Sequence, residues 1–180
     1  MSFNKLKNPI FYIKKSRRPL SKKQNKLINI NLKKYIFKNF IKKFDKIFLE
    51  IGFGYGENLI NLAKKNKKTL ILGCEIYKPA IASVVEKIDE ENLKNIQIFP
   101  KNIFDFFIEI KKNSINKIFL LFPDPWPKRK HHKRRLVNKA LLKNFSKILI
   151  ANGEIYIATD SDKYLETIIN NFLEDKGFLW

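Results

Sequence analysis

The run Lys46-Ile-Phe-Leu-Glu-Ile51 feeds directly into a segment holding three of the chain's six glycines, Gly52, Gly54 and Gly56. Glycine is scarce elsewhere, so this cluster marks a place where the backbone must turn sharply and leave room above itself. A strand, a glycine turn and a helix (here through about Lys65) is the unit that begins a parallel sheet with crossover helices. The pattern then repeats. Thr69–Glu75 reads as a second strand, and Pro79 opens a helix at a position that tolerates proline. Asn95–Pro100 is a third strand, Ile103–Lys111 a helix, and Ile115–Phe122 a fourth strand. Arg135–Ile150 follows as a helix, Asn152-Gly153 as a turn, Glu154–Thr159 as a fifth strand and Asp162–Leu173 as a last helix. The alternation predicts an α/β fold built on a doubly wound parallel sheet over residues 46–180. Residues 1–45 are expected to be an appendage, with an irregular basic arm over 1–30 and a lead-in helix over Leu32–Phe44.

The appendage is where most of the charge sits. The 180 residues carry a net charge of +20, and residues 1–46 hold 15 basic residues against the single acid Asp45. A chain that is 44% hydrophobic and 13% aromatic is too apolar for a disordered polybasic tail. The chain should therefore be a globular domain with a basic arm, and such an excess favours an anionic partner, nucleic acid before membrane. The one cysteine, Cys74, excludes a disulfide framework and a cysteine-built zinc site. It lies in a buried strand with no basic partner nearby, so it is expected to pack rather than react. No run of about 18 apolar residues could span a bilayer, and Met1–Asn8 has no apolar signal core, so a cytoplasmic protein is expected.

The spacing of the glycine turn selects its ligand. It is Glu50-x-Gly52-x-Gly54-x-Gly56, with Glu57 where a dinucleotide-binding turn has its third glycine. Carboxylates at Glu50 and Glu57 would oppose a pyrophosphate where it needs positive potential. S-adenosyl-L-methionine has no phosphate and carries a cationic sulfonium and amino group, so it suits this turn better. Glu75 ends the second strand 19 residues after Gly56, where an acidic side chain can accept the ribose hydroxyls of such a ligand. The cofactor positions expected from the residues are thus Glu50, Gly52, Gly54 and Glu75.

Three of the seven prolines surround one acid in Phe122-Pro-Asp-Pro-Trp-Pro127, at the open end of the fourth strand. Prolines on both sides fix the backbone around Asp124, and a rigid acid with Trp126 two residues on could grip a planar base. Lys128-Arg-Lys-His-His-Lys-Arg-Arg135 follows at once, with six cations in eight residues. Arginines in a lysine-dominated chain suggest forked contacts to phosphates, so RNA-backbone contact is expected of this block. His131 and His132 are adjacent, with no acidic or cysteine cluster nearby, and no metal site is expected.

Together, Leu49-Glu-Ile-Gly-Phe-Gly-Tyr-Gly56, Gly73-Cys-Glu-Ile-Tyr77, Phe122-Pro-Asp-Pro-Trp-Pro-Lys128, the His-Lys-Arg-Arg run ending at Arg135 and Ala158-Thr-Asp160 resemble the bacterial tRNA (guanine-N7-)-methyltransferases. The likeness runs from about Arg17 to the end. It implies a Rossmann-like class I methyltransferase that uses S-adenosyl-L-methionine to methylate N7 of guanine 46 in the tRNA variable loop. By the same resemblance Glu50, Glu75, Asn102 and Asp124 bind the donor, and Asp124 is also catalytic. Lys128 and Asp160 bind the substrate, and Lys130, His131, His132, Lys133, Arg134 and Arg135 contact RNA. The family continues past the last helix into further strands and a Thr-x-(Phe/Tyr)-Glu motif. This sequence stops at Trp180, so the last strands are expected to be missing, leaving the fifth strand as an open edge.

Guanine N7 carries an in-plane lone pair and no proton, so methyl transfer there requires alignment and charge stabilisation rather than a general base. The alternative is a non-catalytic RNA-binding relic of a methyltransferase, which fold alone cannot distinguish. An amino-group methyltransferase is disfavoured, because such enzymes carry Asn/Asp-Pro-Pro-aromatic at this turn.

Overall fold

The computed structural model describes residues 19–38 and 44–179. Its centre is a five-stranded, wholly parallel sheet in the order β3-β2-β1-β4-β5. The strands are β1 Lys46–Ile51, β2 Thr69–Cys74, β3 Ile96–Phe99, β4 Ile115–Leu121 and β5 Leu149–Ala158. The expected α/β class and doubly wound sheet are therefore present. Both faces are covered. Helices α2 (Glu57–Lys65) and α3 (Lys78–Glu90) supply Leu59, Ile60, Val84, Val85 and Ile88 to a core against Phe48, Ile71 and Ile98. Helices α4 (Ile103–Glu109), α5 (Lys139–Ile148) and α6 (Asp162–Leu173) cover the other face, with Phe106, Phe145, Tyr164 and Phe172 packed over Leu49, Ile51 and Leu72. Alternate residues of β1 thus go to opposite cores, as period-two side chains require. The strand order reverses at β1, between β2 and β4, and at such a switch point a parallel sheet opens a crevice at its carboxyl ends.

Four expectations are corrected. The part of the basic arm within the described residues is not irregular: α1 (Lys22–Asn29) begins at a capping box, in which Gln24 N–H donates to Ser21 Oγ and Ser21 N–H to Gln24 Oε1. No lead-in helix spans Leu32–Phe44. A 3₁₀ turn over Asn31–Lys34 gives way to extended backbone, and Ile36 bridges in parallel to Ile98 on the free edge of β3. That edge has its own unpaired groups to satisfy, which it does through Phe37 N–H to Ile98 O at 2.9 Å and Ile98 N–H to Tyr35 O at 2.7 Å. Residues 1–18 and 39–43 lie outside the described part. Finally, no helix begins at Arg135. Arg129–Arg134 forms a 3₁₀ turn, Asn138 caps α5, and the chain passes from α5 straight into β5. The expected Asn152-Gly153 turn is absorbed as a bulge in β5: the register jumps from Ile115 opposite Leu149 to Lys117 opposite Glu154, with Asn152 at φ 59°.

Asp89 on α3 docks the N-terminal segment. Asn31 Nδ2 donates to Asp89 Oδ2 at 2.6 Å, the Tyr35 hydroxyl donates to Oδ1, and Lys34 Nζ lies 3.6 Å from Oδ1. The hydrogen bond from Tyr35, with that from Asn31, holds the Asp89 carboxyl below its usual range, and burial chiefly pushes Tyr35 up to about 12. Hydrogen bonds to a partly exposed charge contribute about 1–2 kcal/mol. Asp89→Ala is therefore expected to lower unfolding free energy in urea by about that amount. An unchanged midpoint would show that the N-terminal segment docks without help from Asp89.

Candidate functional site

At the carboxyl ends of β1, β2 and β4 lies a pocket of about 300 Å³, whose walls include Gly52, Glu75, Asn102, Asp124, Trp126 and Arg134. Four residues expected at a donor site, from separate loops, thus share one cavity. Gly52 (φ 70°) and Gly54 (φ 53°) adopt left-handed backbone, and nothing lies within 4 Å of where a Cβ would stand on either. A side chain there would be strained and would fill the space into which a ligand can approach the backbone. Gly56 serves packing instead. A Cβ on it would strike Val84 of α3, so α2 and α3 can approach only across a bare Cα.

Glu75 leaves β2 with its carboxylate locked by backbone. Gly54 N–H donates to Oε2 at 3.1 Å, and the N–H groups of Ile76 and Tyr77 donate to Oε1 at 2.7 and 2.9 Å. A carboxylate offers about four acceptor sites. Glu75 therefore has capacity for about one more bond as it stands, rather than the pair of hydroxyls expected from sequence. Asn102 caps α4 through Oδ1, which accepts from Phe104 N–H at 2.9 Å. Cys74 is buried in the pocket wall, where burial pushes its thiol well above the usual range and Sγ lies 3.3 Å from Lys101 O. It is a packing residue there, as its sequence context implied.

Glu50 lies behind this wall, on the face of β1 that meets α2 and α3. It is only 4% exposed, and its Oε2 is buried without a hydrogen-bond partner. Burial raises its pKa to about 7, against a smaller opposing effect from the Asn58 amide on α2. An acid kept there is anomalous for packing and is the kind of group that a cationic ligand would relieve.

The loop from Phe122 to Pro127 crosses the mouth of the pocket. Phe122 and Trp126 both have positive φ, 50° and 44°, so the three prolines hold a backbone that side-chain-bearing residues rarely adopt. Phe122 N–H anchors its start to Ala158 O on β5 at 2.8 Å. Asp124 is exposed at the pocket rim. The Arg134 guanidinium covers the Trp126 ring at 4.9 Å, and His131 meets that ring edge-on at 5.8 Å. His131 is held below its ordinary pKa by desolvation and then by the surrounding cations, Arg134 first.

Lys128 is exposed just before the 3₁₀ turn, Arg129, Lys130 and Lys133 are exposed on it, and Asp160 is exposed in the loop after β5; none of these is part of the pocket wall. Arg135 departs from expectation. It is 5% exposed and bonded to protein groups, so it does not present its guanidinium to an RNA backbone. Sequence reasoning missed Asn58 beside Glu50 and the Arg134–Trp126 stack. The first carries no signal in sequence, and the second was visible only as an aromatic before a cationic run.

Comparison with known proteins agrees with this geometry. Residues 45–179 match the protein family described as "Putative methyltransferase". The chain is 44% identical over 134 residues to the tRNA (guanine-N(7)-)-methyltransferase of Buchnera aphidicola, covering 74% of this chain and 55% of that one. It is 35% identical over 156 residues to the enzyme of the same name from Wolbachia pipientis, covering 83% of this chain and 71% of that one. It spans about a third of the length of longer Rickettsia relatives described as bifunctional methyltransferases. In fold it is similar to the aminoglycoside resistance methyltransferase NpmB1, with a TM-score of 0.56 at 18% identity over 75% of this chain and 66% of that one. The sheet is thus the Rossmann-like sheet of class I methyltransferases.

Glu50 makes stability depend on pH. Its ordinary value is 4.5 and its folded value about 7, so between these the folded chain holds a proton that the unfolded chain has released. Stability then falls as pH rises from 5 to 8, by roughly 2–3 kcal/mol from this group. Glu50→Gln is expected to remove that fall in urea unfolding measured from pH 5 to 8. Equal pH dependence in wild type and variant would sink the assignment.

Proposed function

Because the chain belongs to the family of the tRNA (guanine-N7-)-methyltransferases, we propose that it transfers a methyl group from S-adenosyl-L-methionine to N7 of a guanine in tRNA, position 46 of the variable loop. The observation that carries this reading is the shared cavity. Gly52 of the glycine turn, Glu75, Asn102, Asp124 and Trp126 all line it.

The residues fit the donor. The empty volume over Gly52 and Gly54 can take a ligand close to backbone, Glu75 retains acceptor capacity, and the orphaned Glu50 oxygen favours a cation. The acids also disfavour a phosphate-bearing cofactor. When bound, the donor supplies an electrophilic methyl carbon on a cationic sulfur. The chain's own part is to orient and to stabilise. N7 has no proton to lose, so Asp124 is not needed as a base. Its carboxylate, held by the proline turn, offsets the positive charge that grows on the purine as the N7–C bond forms. Trp126 offers a flat ring backed by the Arg134 guanidinium beside the position where a purine would enter. Arg129, Lys130 and Lys133 are placed to hold phosphates, Lys128 and Asp160 to bind the nucleotide, and the partner is a tRNA in the cytoplasm.

Asp124→Ala is expected to lower methyl transfer to unmodified tRNA by roughly 100-fold or more, with unchanged circular dichroism. Labelled donor and mapping of N7-methylguanine measure this. Transfer at the wild-type rate would remove Asp124 from the chemistry, and tRNA binding with no labelling by the wild type would leave an RNA-binding scaffold only. Replacing Arg129, Lys130 and Lys133 by Ala should flatten the salt dependence of tRNA binding, by about 0.7–0.9 in log–log slope for each phosphate no longer neutralised, while donor affinity holds. An unaltered slope would make the turn a merely solvated surface.

A further inference from the structure

We propose that Arg135 is a positioning residue, a buried brace that fixes the Asp124 loop against α6, and that it is not one of the RNA contacts. Its Nε donates to Pro125 O at 2.9 Å, and Pro125 immediately follows Asp124. On the other side Nη1 donates to Lys163 O at 3.3 Å and to the Thr167 hydroxyl, one turn apart on α6. The guanidinium lies 5.0 Å from the ring centre of Tyr164, which is fully buried and accepts from Val137 N–H through its hydroxyl at 3.0 Å. Its Nη2 is buried without a partner, so reaching a phosphate would require Arg135 to leave its buried place over Tyr164.

The loop needs such a hold. Phe122 and Trp126 sit in left-handed backbone that residues with a side chain rarely adopt, and strained segments persist only where surrounding structure over-determines them. Prolines restrict the loop's own torsions but cannot fix its distance from the rest of the molecule. Arg135 does that, through a planar fork able to donate in two directions at once; a lysine ammonium has no such fork. Helix α6 begins at Asp162, just after Asp160. The brace therefore sets the loop after β4 and the loop after β5, the two that carry the residues proposed for the guanine, relative to each other.

The kinetic part of this inference rests on the methyl-transfer reading, so the test uses two kinds of measurement. Arg135→Lys keeps the charge and loses the fork; Thr167→Val keeps Arg135 and removes one acceptor. With unmodified tRNA, Arg135→Lys is expected to lower kcat roughly 10- to 100-fold, since small misplacements of a catalytic group cost rates of that order. KM for tRNA and the salt slope of binding should stay at wild-type values. Thr167→Val should lower kcat several-fold in the same pattern. Amide exchange over 122–128 should accelerate about tenfold in Arg135→Lys, as expected where a segment loses its hold. Wild-type kcat with a salt slope reduced by one phosphate's worth would overturn the brace and restore the RNA contact, and so would unchanged exchange in both variants. If the wild type methylates no tRNA, the functional reading fails, while exchange and salt slope still decide the brace.

Discussion

Glu75 receives three backbone N–H groups, one from the glycine turn after β1 and two from its own loop after β2. Those two loops leave the sheet side by side because β1 and β2 pair in parallel with Ile51 opposite Cys74. Without a shared acceptor, the amide of Gly54 would point into a crevice with nothing to satisfy it but water. The carboxylate converts a flexible glycine segment into a fixed wall, and the left-handed torsions at Gly52 and Gly54 become a stable surface rather than one conformation among many. The pocket, the helix start at Glu57 and the burial of Phe53 over Gly73 all follow from where that turn is held.

The charges are partly sorted by depth. Glu75 lines the pocket, Glu50 lies behind it and Asp124 stands at its rim; the cations Lys101 and Arg134 share the wall, whereas Lys128, Arg129, Lys130 and Lys133 stand exposed outside it. A polyanion is attracted to the rim by the field of a strongly basic chain, yet its phosphates are repelled by the carboxylates further in. What can pass between the two zones is a neutral or cationic group, such as a base detached from its stack or a sulfonium. The same arrangement would serve poorly for a nucleotide cofactor, whose phosphates would have to lie against the acids. Selectivity of this kind needs no dedicated specificity residue, only acids near the sheet and bases at its margin.

Much of this was legible in the sequence because it depends on local pattern. Five apolar runs, a glycine triplet and a proline-flanked acid identify the sheet, the turn and the rigid loop, and each is where its residue types require. The Ser21–Gln24 capping box was legible too, since Ser-x-x-Gln before Leu27 is a helix-start signature, but the density of lysine around it reads first as an irregular basic arm. Ile36 joining the edge of β3 was not legible, because what recruits it is the unpaired backbone of Ile98, far along the chain. The same holds for the bulge at Asn152. Asn-Gly suggests a turn between two elements, whereas α5 needs no connecting turn to enter β5, and the irregularity falls inside the strand instead. Glu50 as an acid was evident; that it is deeply buried with an unsatisfied oxygen depends on α2 closing over it, which no local pattern encodes.

Arg134 and Arg135 show the limit most sharply. They are adjacent, identical and embedded in one cationic run, and sequence assigns them one role. The 3₁₀ turn that ends at Arg134 sends their side chains to different places: one guanidinium over Trp126 at the pocket, the other down to Pro125 and α6. The hydrogen bond from Arg135 to Pro125 closes a loop with nine residues between them, and the Trp126–Arg134 stack lies within it. The exposed cations Arg129, Lys130 and Lys133 are carried within that closed loop, and Asp124 stands just before its first residue. Groups proposed to meet the phosphates and the group proposed to meet the base are therefore joined through one closed loop. Its orientation is set from below by Tyr164 and Thr167, so whatever docks on the cations is presented to Asp124 at a distance that the fold has already chosen.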